Sequence, residues 1–260
     1  MTDTAANLTV VAVFAHPDDE SLACGGTLAR LAAAGMRVVL ICASHGEQGS
    51  TGGPGHAQEL GRARAGELGA AAAALGAAEV IILDYPDGEL RWTRVTEFHA
   101  ELTLFLRDRR PSAVITFGED GLYWHPDHIG IYEHTTAVVA SLGNRAPALY
   151  YVTMVPGVMT QIVAAARQRG WMAPSEGFWS LAPDAFGFAA KPATIAVDVV
   201  PWVPRKLAAI QCHRSQVGVG HPLELDDSAA RAWLGVEHFH RAAIPSTELI
   251  LESLACTSKP

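Results

Sequence analysis

Leu8-Thr9-Val10-Val11-Ala12-Val13-Phe14-Ala15 runs without a charge into His16-Pro17-Asp18-Asp19-Glu20. A short valine-rich run bounded by polar residues predicts a strand buried on both faces, as in a parallel sheet. Chemistry-bearing side chains begin where the apolar run stops. A second run of this kind, 113–117, is followed by His125-Pro126-Asp127-His128. Each cluster joins histidine to carboxylate. Two imidazoles and one carboxylate leave the fourth position of a tetrahedral zinc open, the pattern of a hydrolytic site. A further carboxylate remains beside the metal to serve as a base.

Between and around the clusters the pattern alternates. A helix is expected over 21–34, ended by Gly35, then a strand over 37–43 and a Gly/Ser-rich loop over 44–56. An Ala-rich helix over 57–75 is followed by Gly76, a strand over 80–83 and a turn over 84–90 holding Pro86, Asp87 and Gly88. A helix over 93–109, the strand 113–117, a loop over 118–127, a helix over 128–142 and a strand over 148–152 follow. This alternation predicts an α/β fold, a Rossmann-like doubly wound, mostly parallel sheet with helices on both faces. Five prolines from Pro174 to Pro204 punctuate the second half, where we expect a strand over 195–199, a helix over 203–212 and an exposed loop over 218–227. The aromatics Trp171, Phe178, Trp179, Phe186 and Phe188 read as a small satellite core rather than a flap. No domain boundary shows. The chain is expected to form one domain over 1–260, its core at about 8–220 and a C-terminal extension packed on it.

In a doubly wound sheet, strands one and four flank the point where strand order reverses, and ligands bind outside their carboxyl ends. That topology brings the two clusters together. A dinucleotide fold would need G-x-G-x-x-G at the first turn. This chain has Ala-His-Pro-Asp-Asp-Glu, whose carboxylates repel a pyrophosphate.

Composition narrows the classes further. Hydrophobic residues at 49% and charged residues at 18% of 260 exclude a disordered chain. A formal charge of −8 argues against a nucleic-acid partner held through a basic surface. No stretch of eighteen apolar residues and no basic segment ahead of an apolar one occurs, so neither a membrane span nor a signal peptide is expected. Cys24, Cys42, Cys212 and Cys256 form no C-x-x-C pair and read as free thiols in a reducing, cytoplasmic setting.

The two clusters together resemble the paired signatures of the LmbE-like, or PIG-L, zinc N-deacetylases. Gly46-Glu47, Arg64, Glu67, Tyr85-Pro86-Asp87-Gly88, Lys206 and His213-Arg214-Ser215-Gln216 extend the likeness over roughly 8–220. The resemblance implies His16, Asp19 and His128 as ligands of Zn2+, with Fe2+ suited to the same donors. It implies Asp18 as general base and His125, aided by Tyr123, as oxyanion donor. Asp127 would orient His125 and favour its imidazolium form. Arg64, Asp87 and His213 would contact substrate. On their own chemistry Tyr123 reads equally as a packing aromatic, and Arg64 and Asp87 as structural. The implied substrate is an N-acetylglucosaminyl compound, which would release acetate and a free amine. A thiol-conjugate amidase is the near alternative. A metal phosphoesterase commonly needs more ligands than these loops offer. A closed structural zinc would more often use cysteine, and neither cluster holds one. A homo-oligomer is a plausible assembly. His45, His56, His99, His134, His221, His238 and His240 read as surface histidines.

Overall fold

A computed structural model describes residues 8–49, 56–175, 178–217 and 222–255. His221, Cys256 and parts of the loops expected over 44–56 and 218–227 lie outside the described residues. β1 (Thr9–Phe14), β2 (Arg37–Cys42), β3 (Glu79–Ile82), β4 (Ala113–Phe117) and β5 (Ala148–Thr153) are parallel neighbours in the order β3-β2-β1-β4-β5. Order reverses between β1 and β4, as the alternation predicts. Val10 to Val13 of β1 are fully buried, so this strand has helices over both faces. α1 (Asp19–Ala33) and α2 (Ala57–Leu75) pack together with α7 (Val203–Cys212), while α3 (Val95–Arg109) packs on α5 (Pro126–Ser141). α4 (Gly121–Trp124) is one irregular turn between β4 and α5. Both faces of the sheet are thus covered.

The second half departs from expectation. α6 (Val158–Gln168) and α8 (Asp227–Leu234), the latter beginning where the expected loop over 218–227 ends, lie where no element was expected. β7 (Val236–Arg241) is antiparallel to both β5 and β6 (Ile195–Asp198) and lies between them. The C-terminal segment is therefore not an extension packed on a finished core, because it completes the sheet. Its residue Glu237 is 4% exposed and accepts the N–H groups of Gly26 (2.9 Å) and Thr27 (2.7 Å) and the ammonium of Lys206 (2.6 Å). Those two N–H groups are free because α1 breaks at Cys24, whose φ is −149°. Glu237 thereby joins β7, α1 and α7 at one buried point.

Two helices begin earlier than their sequences suggest, and both shifts reach the site. α1 starts at Asp19 rather than Ser21. α5 starts at Pro126, with the His125 ring accepting the Asp127 N–H at 3.3 Å as its cap. His128 therefore lies within the first turn of α5.

Candidate metal centre

The carboxyl ends of β1 and β4 deliver the two clusters to one place. The His16 N–H donates to Asp19 Oδ2 (2.8 Å), closing the turn from β1 into α1. Asp19 Oδ1 then lies 3.2 Å from His128 Nε2, and Asp19 Oδ2 lies 3.5 Å from His16 Nδ1. The His128 ring stacks on Phe117 at the end of β4, with centroids 4.0 Å apart and planes 7° apart. Its Nδ1 donates to the Gly121 carbonyl at 3.1 Å, which fixes the tautomer. Nε2 is buried and has no hydrogen-bond partner. An imidazole held in this way, its Nε2 aimed at a carboxylate and set beside a second imidazole, is placed to meet a cation.

The electrostatics agree. His16 Nε2 is 3.0 Å from both Asp127 Oδ2 and Asp87 Oδ1. Burial opposes a charge on His16, but Asp127, Asp19 and Asp87 outweigh it and hold the ring's pKa well above its ordinary value. Burial likewise pulls Asp19 upward, yet His128 and His16 hold it well below the usual carboxylate range. Asp127 carries two further N–H bonds, from Gly88 (2.7 Å) and Leu90 (3.0 Å), and burial does not prevent its pKa from falling. The Asp127 carboxylate thus grips His16 rather than His125, contrary to the role the resemblance implied. Asp87 also braces His16, while its second oxygen accepts the Gln48 N–H at 2.8 Å.

Asp18 stands beside this centre in a backbone conformation that L residues rarely adopt, φ 124°. Such a residue costs about 1–3 kcal/mol and persists only where its surroundings fix it. Arg64, 4% exposed, does the fixing: it donates to the Pro17 carbonyl (2.6 Å), to Asp18 Oδ2 (3.1 Å) and to the Gly46 carbonyl (2.8 Å). Gly46 has φ +63°, and a Cβ there would fall 2.6 Å from the guanidinium, so only glycine admits Arg64. Burial raises Asp18 to about 7 despite Arg64, with the Asp19 charge adding to the rise.

His125 faces the centre from above, its ring centroid 5.0 Å from that of His16 and 4.6 Å from that of His128. Burial and these two histidines push its pKa down to about 4, so the ring is neutral near pH 7. Burial therefore works against the expected imidazolium, and the Asp127 carboxylate, turned to His16, does not offset it. With Nδ1 accepting the Asp127 N–H, the ring's proton resides on Nε2, which makes Nε2–H a donor. Tyr123 packs on His128 (5.2 Å), His125 (5.7 Å) and Phe178 (4.9 Å). It links the site to a second apolar cluster of Met159, Ile162, Phe186, Ile210 and Leu223, against which Phe178 and Trp179 pack. Phe178, Trp179 and Phe186 thus form the expected satellite core, whereas Phe188 is 81% exposed.

His213 Nε2 lies 2.9 Å from Glu20 Oε1 and 3.3 Å from Ser21 Oγ, and its Nδ1 is buried without a partner. Burial opposes protonation of His213, but Glu20 outweighs it and raises the pKa. Glu20 Oε2 accepts the Asp18 N–H at 3.1 Å, so His213 reaches Asp18 through Glu20. The residues singled out in the sequence therefore all converge, although Arg64, Asp87 and His213 contact catalytic candidates or their neighbours. Sequence reasoning missed Glu20, the N–H groups of Gly88 and Leu90, and the ring of Phe117. It also read His99 and His134 as surface residues. His134 is 6% exposed and is hydrogen-bonded at both ring nitrogens, to His99 and to the Leu90 carbonyl.

The family described as GlcNAc-PI de-N-acetylase (PIG-L) matches residues 11–139. A 1D-myo-inositol 2-acetamido-2-deoxy-alpha-D-glucopyranoside deacetylase of Thermobispora bispora is 34% identical over 266 residues, covering 88% of this chain and 86% of the relative. A protein of the same description from Acidothermus cellulolyticus is 31% identical over 251 residues, covering 87% and 86%. Among solved structures, the conserved protein TT1542 from Thermus thermophilus superposes with a TM-score of 0.61 at 27% identity, covering 93% of this chain and 97% of that one. No helix among the described residues is long and apolar enough to cross a membrane.

Proposed function

Because the chain belongs to the PIG-L family, we propose that it hydrolyses the N-acetyl group of an N-acetylglucosaminyl compound, with one zinc ion held by His16, Asp19 and His128. The observation that carries the metal assignment is the buried, unpartnered Nε2 of His128 set against Asp19 and beside His16. Two imidazoles and a carboxylate suit zinc, and ferrous iron takes the same set. A bound zinc would bring the pKa of a water to about 7 and polarise the amide carbonyl.

The remaining work falls to the chain. Asp18, with its carboxyl poised at about 7, accepts the proton of the attacking water. It is then protonated beside the reacting centre and returns that proton to the leaving amine. His125, neutral and with Nε2–H free to donate, stabilises the charge that develops on the carbonyl oxygen. Arg64 holds Asp18 in place through its carboxylate and the preceding carbonyl. Both relatives are described as acting on 2-acetamido-2-deoxy-glucopyranoside joined to myo-inositol, which supports a polyol-linked amino sugar as the substrate class here.

Acetate release from a panel of N-acetylglucosaminides tests this reading. Activity is expected to vanish after chelation and to return with zinc or ferrous iron. Phosphate-ester hydrolysis exceeding acetate release, or acetate release that survives full removal of metal, would overturn it.

A further inference from the structure

α5 lays three residues of one face along the loop after β3. Asp127, Gly130 and His134 are spaced i, i+3 and i+7, so they form a single stripe. Each meets the loop differently. Asp127 takes the N–H groups of Gly88 and Leu90. Gly130 lets the Arg91 backbone lie directly against the helix, where a Cβ would fall 2.6 Å from Arg91 Cα. His134 Nε2 donates to the Leu90 carbonyl at 3.0 Å. The same peptide residue, Leu90, is thereby held at both its polar groups, by His134 on one side and by Asp127 on the other.

The tautomer of His134 follows from its partners. A carbonyl only accepts, so the His134 proton sits on Nε2 and its Nδ1 is an acceptor. His99 Nε2, 3.1 Å from that Nδ1, must then be the donor. The His99 and His134 rings meet edge to face with centroids 5.1 Å apart, and Phe98 closes the other side of His134 at 5.6 Å. Hydrogen bonds therefore link half-buried His99 on α3 through His134 and Leu90 to Asp127, whose other oxygen accepts from His16 Nε2 (3.0 Å). We propose that His134, held with Nε2–H on the Leu90 carbonyl and backed at Nδ1 by His99, is a positioning residue for the His16 ring, acting through Leu90 and Asp127. It touches neither metal nor substrate. It holds Leu90, whose N–H is one of the two that aim the Asp127 carboxylate, and that carboxylate in turn orients the metal-facing ring of His16. The proposal rests on His16 being a ligand. The direct partner of a metal-bound imidazole, here Asp127, typically carries about 10–100-fold in metal affinity, and His134 acts through it.

The test is zinc affinity of the refolded apoprotein by chelator competition, together with kcat and KM, for His134→Leu, His134→Gln, His99→Leu and His16→Ala. His134→Leu keeps bulk but loses the donor, and is expected to weaken zinc by about 10-fold, the lower end for a direct partner, and to lower kcat while KM changes little. His134→Gln restores a donor toward Leu90 and is expected to recover most of the affinity. His99→Leu, at a half-buried position, keeps the test open if His134→Leu does not fold, and is expected to show the same loss in smaller measure. Wild-type zinc affinity in folded His134→Leu or His99→Leu, with His16→Ala devoid of metal, would overturn the positioning role and leave the metal assignment intact. Full zinc occupancy in His16→Ala would overturn both.

Discussion

Asp127 Oδ2 lies 3.0 Å from His16 Nε2, although the two residues come from the first turn of α5 and the end of β1. The second cluster thus supplies the brace for the first cluster's histidine as well as a histidine of its own. Asp127→Asn preserves shape and the two N–H contacts only in part, since one amide oxygen replaces two carboxylate oxygens. Zinc affinity is expected to fall about 10–100-fold, as for other supports of a ligating histidine. A metal titration of the variant gives the answer, and unchanged affinity would mean that the brace is idle.

Arg64 sits 3.1 Å from Asp18 and lowers a carboxyl that burial has raised to about 7. The base works only when ionised, so kcat/KM is expected to fall as pH drops below about 7. Arg64→Met removes the nearby positive charge, makes the ionised form harder to reach and must move the acid limb to higher pH. Asp18→Asn is expected to keep its metal and lose about 10²–10⁴ in kcat. The pH profile of Arg64→Met is the sharper measurement, because a limb that stays in place would assign it to some other group.

The neutral state of His125 bears on the alkaline side. An imidazolium donor would give a second limb as it lost its proton. With burial, His128 and His16 holding His125 at about 4, no such limb is expected from it near or above neutrality. His125→Ala should reduce kcat by about 10²–10³ with metal retained, the usual loss for one oxyanion donor. Loss of metal in that variant would make His125 a ligand and would require the second cluster's roles to be exchanged.

How much of this was legible in the sequence follows from where each signal resides. β1 and β4 are short, apolar and uninterrupted, so their order and the meeting of His16 with His128 could be argued from the chain alone. α6 was missed although its signal is present, since Met159, Ile162, Val163 and Ala166 are buried at i, i+3, i+4 and i+7. β7 was hidden because one of its two buried side chains is Glu237, which leaves Phe239 alone and breaks the expected apolar alternation. Only the broken helix at Cys24 and the partner Lys206 make that burial tolerable, and both belong to distant segments. His134 was hidden for a similar reason. Its partners are a backbone carbonyl and a histidine thirty-five residues earlier, and neither has a sequence signature.

Glu237 also yields a stability test that is separate from catalysis. Its carboxylate is 4% exposed and is balanced by Lys206, itself 3% exposed, and by the N–H groups of Gly26 and Thr27. Lys206→Met keeps the length and apolar stem of the side chain but removes the ammonium in contact. The carboxylate then remains buried with two N–H donors and without that counter-charge. Removing one member of a buried pair typically costs about 3–5 kcal/mol, most of it the desolvation of the charge left behind. Replacing both, as in Lys206→Met with Glu237→Gln, still leaves an amide oxygen for one N–H and should recover a substantial part of that loss. Denaturant unfolding of the wild type, the single variant and the double variant measures the coupling. A single variant within about 1 kcal/mol of wild type, the scale of an ordinary surface change, would show that water or a shifted backbone already compensates Glu237, and the junction of β7, α1 and α7 would lose its claim to hold the C-terminal strand in the sheet.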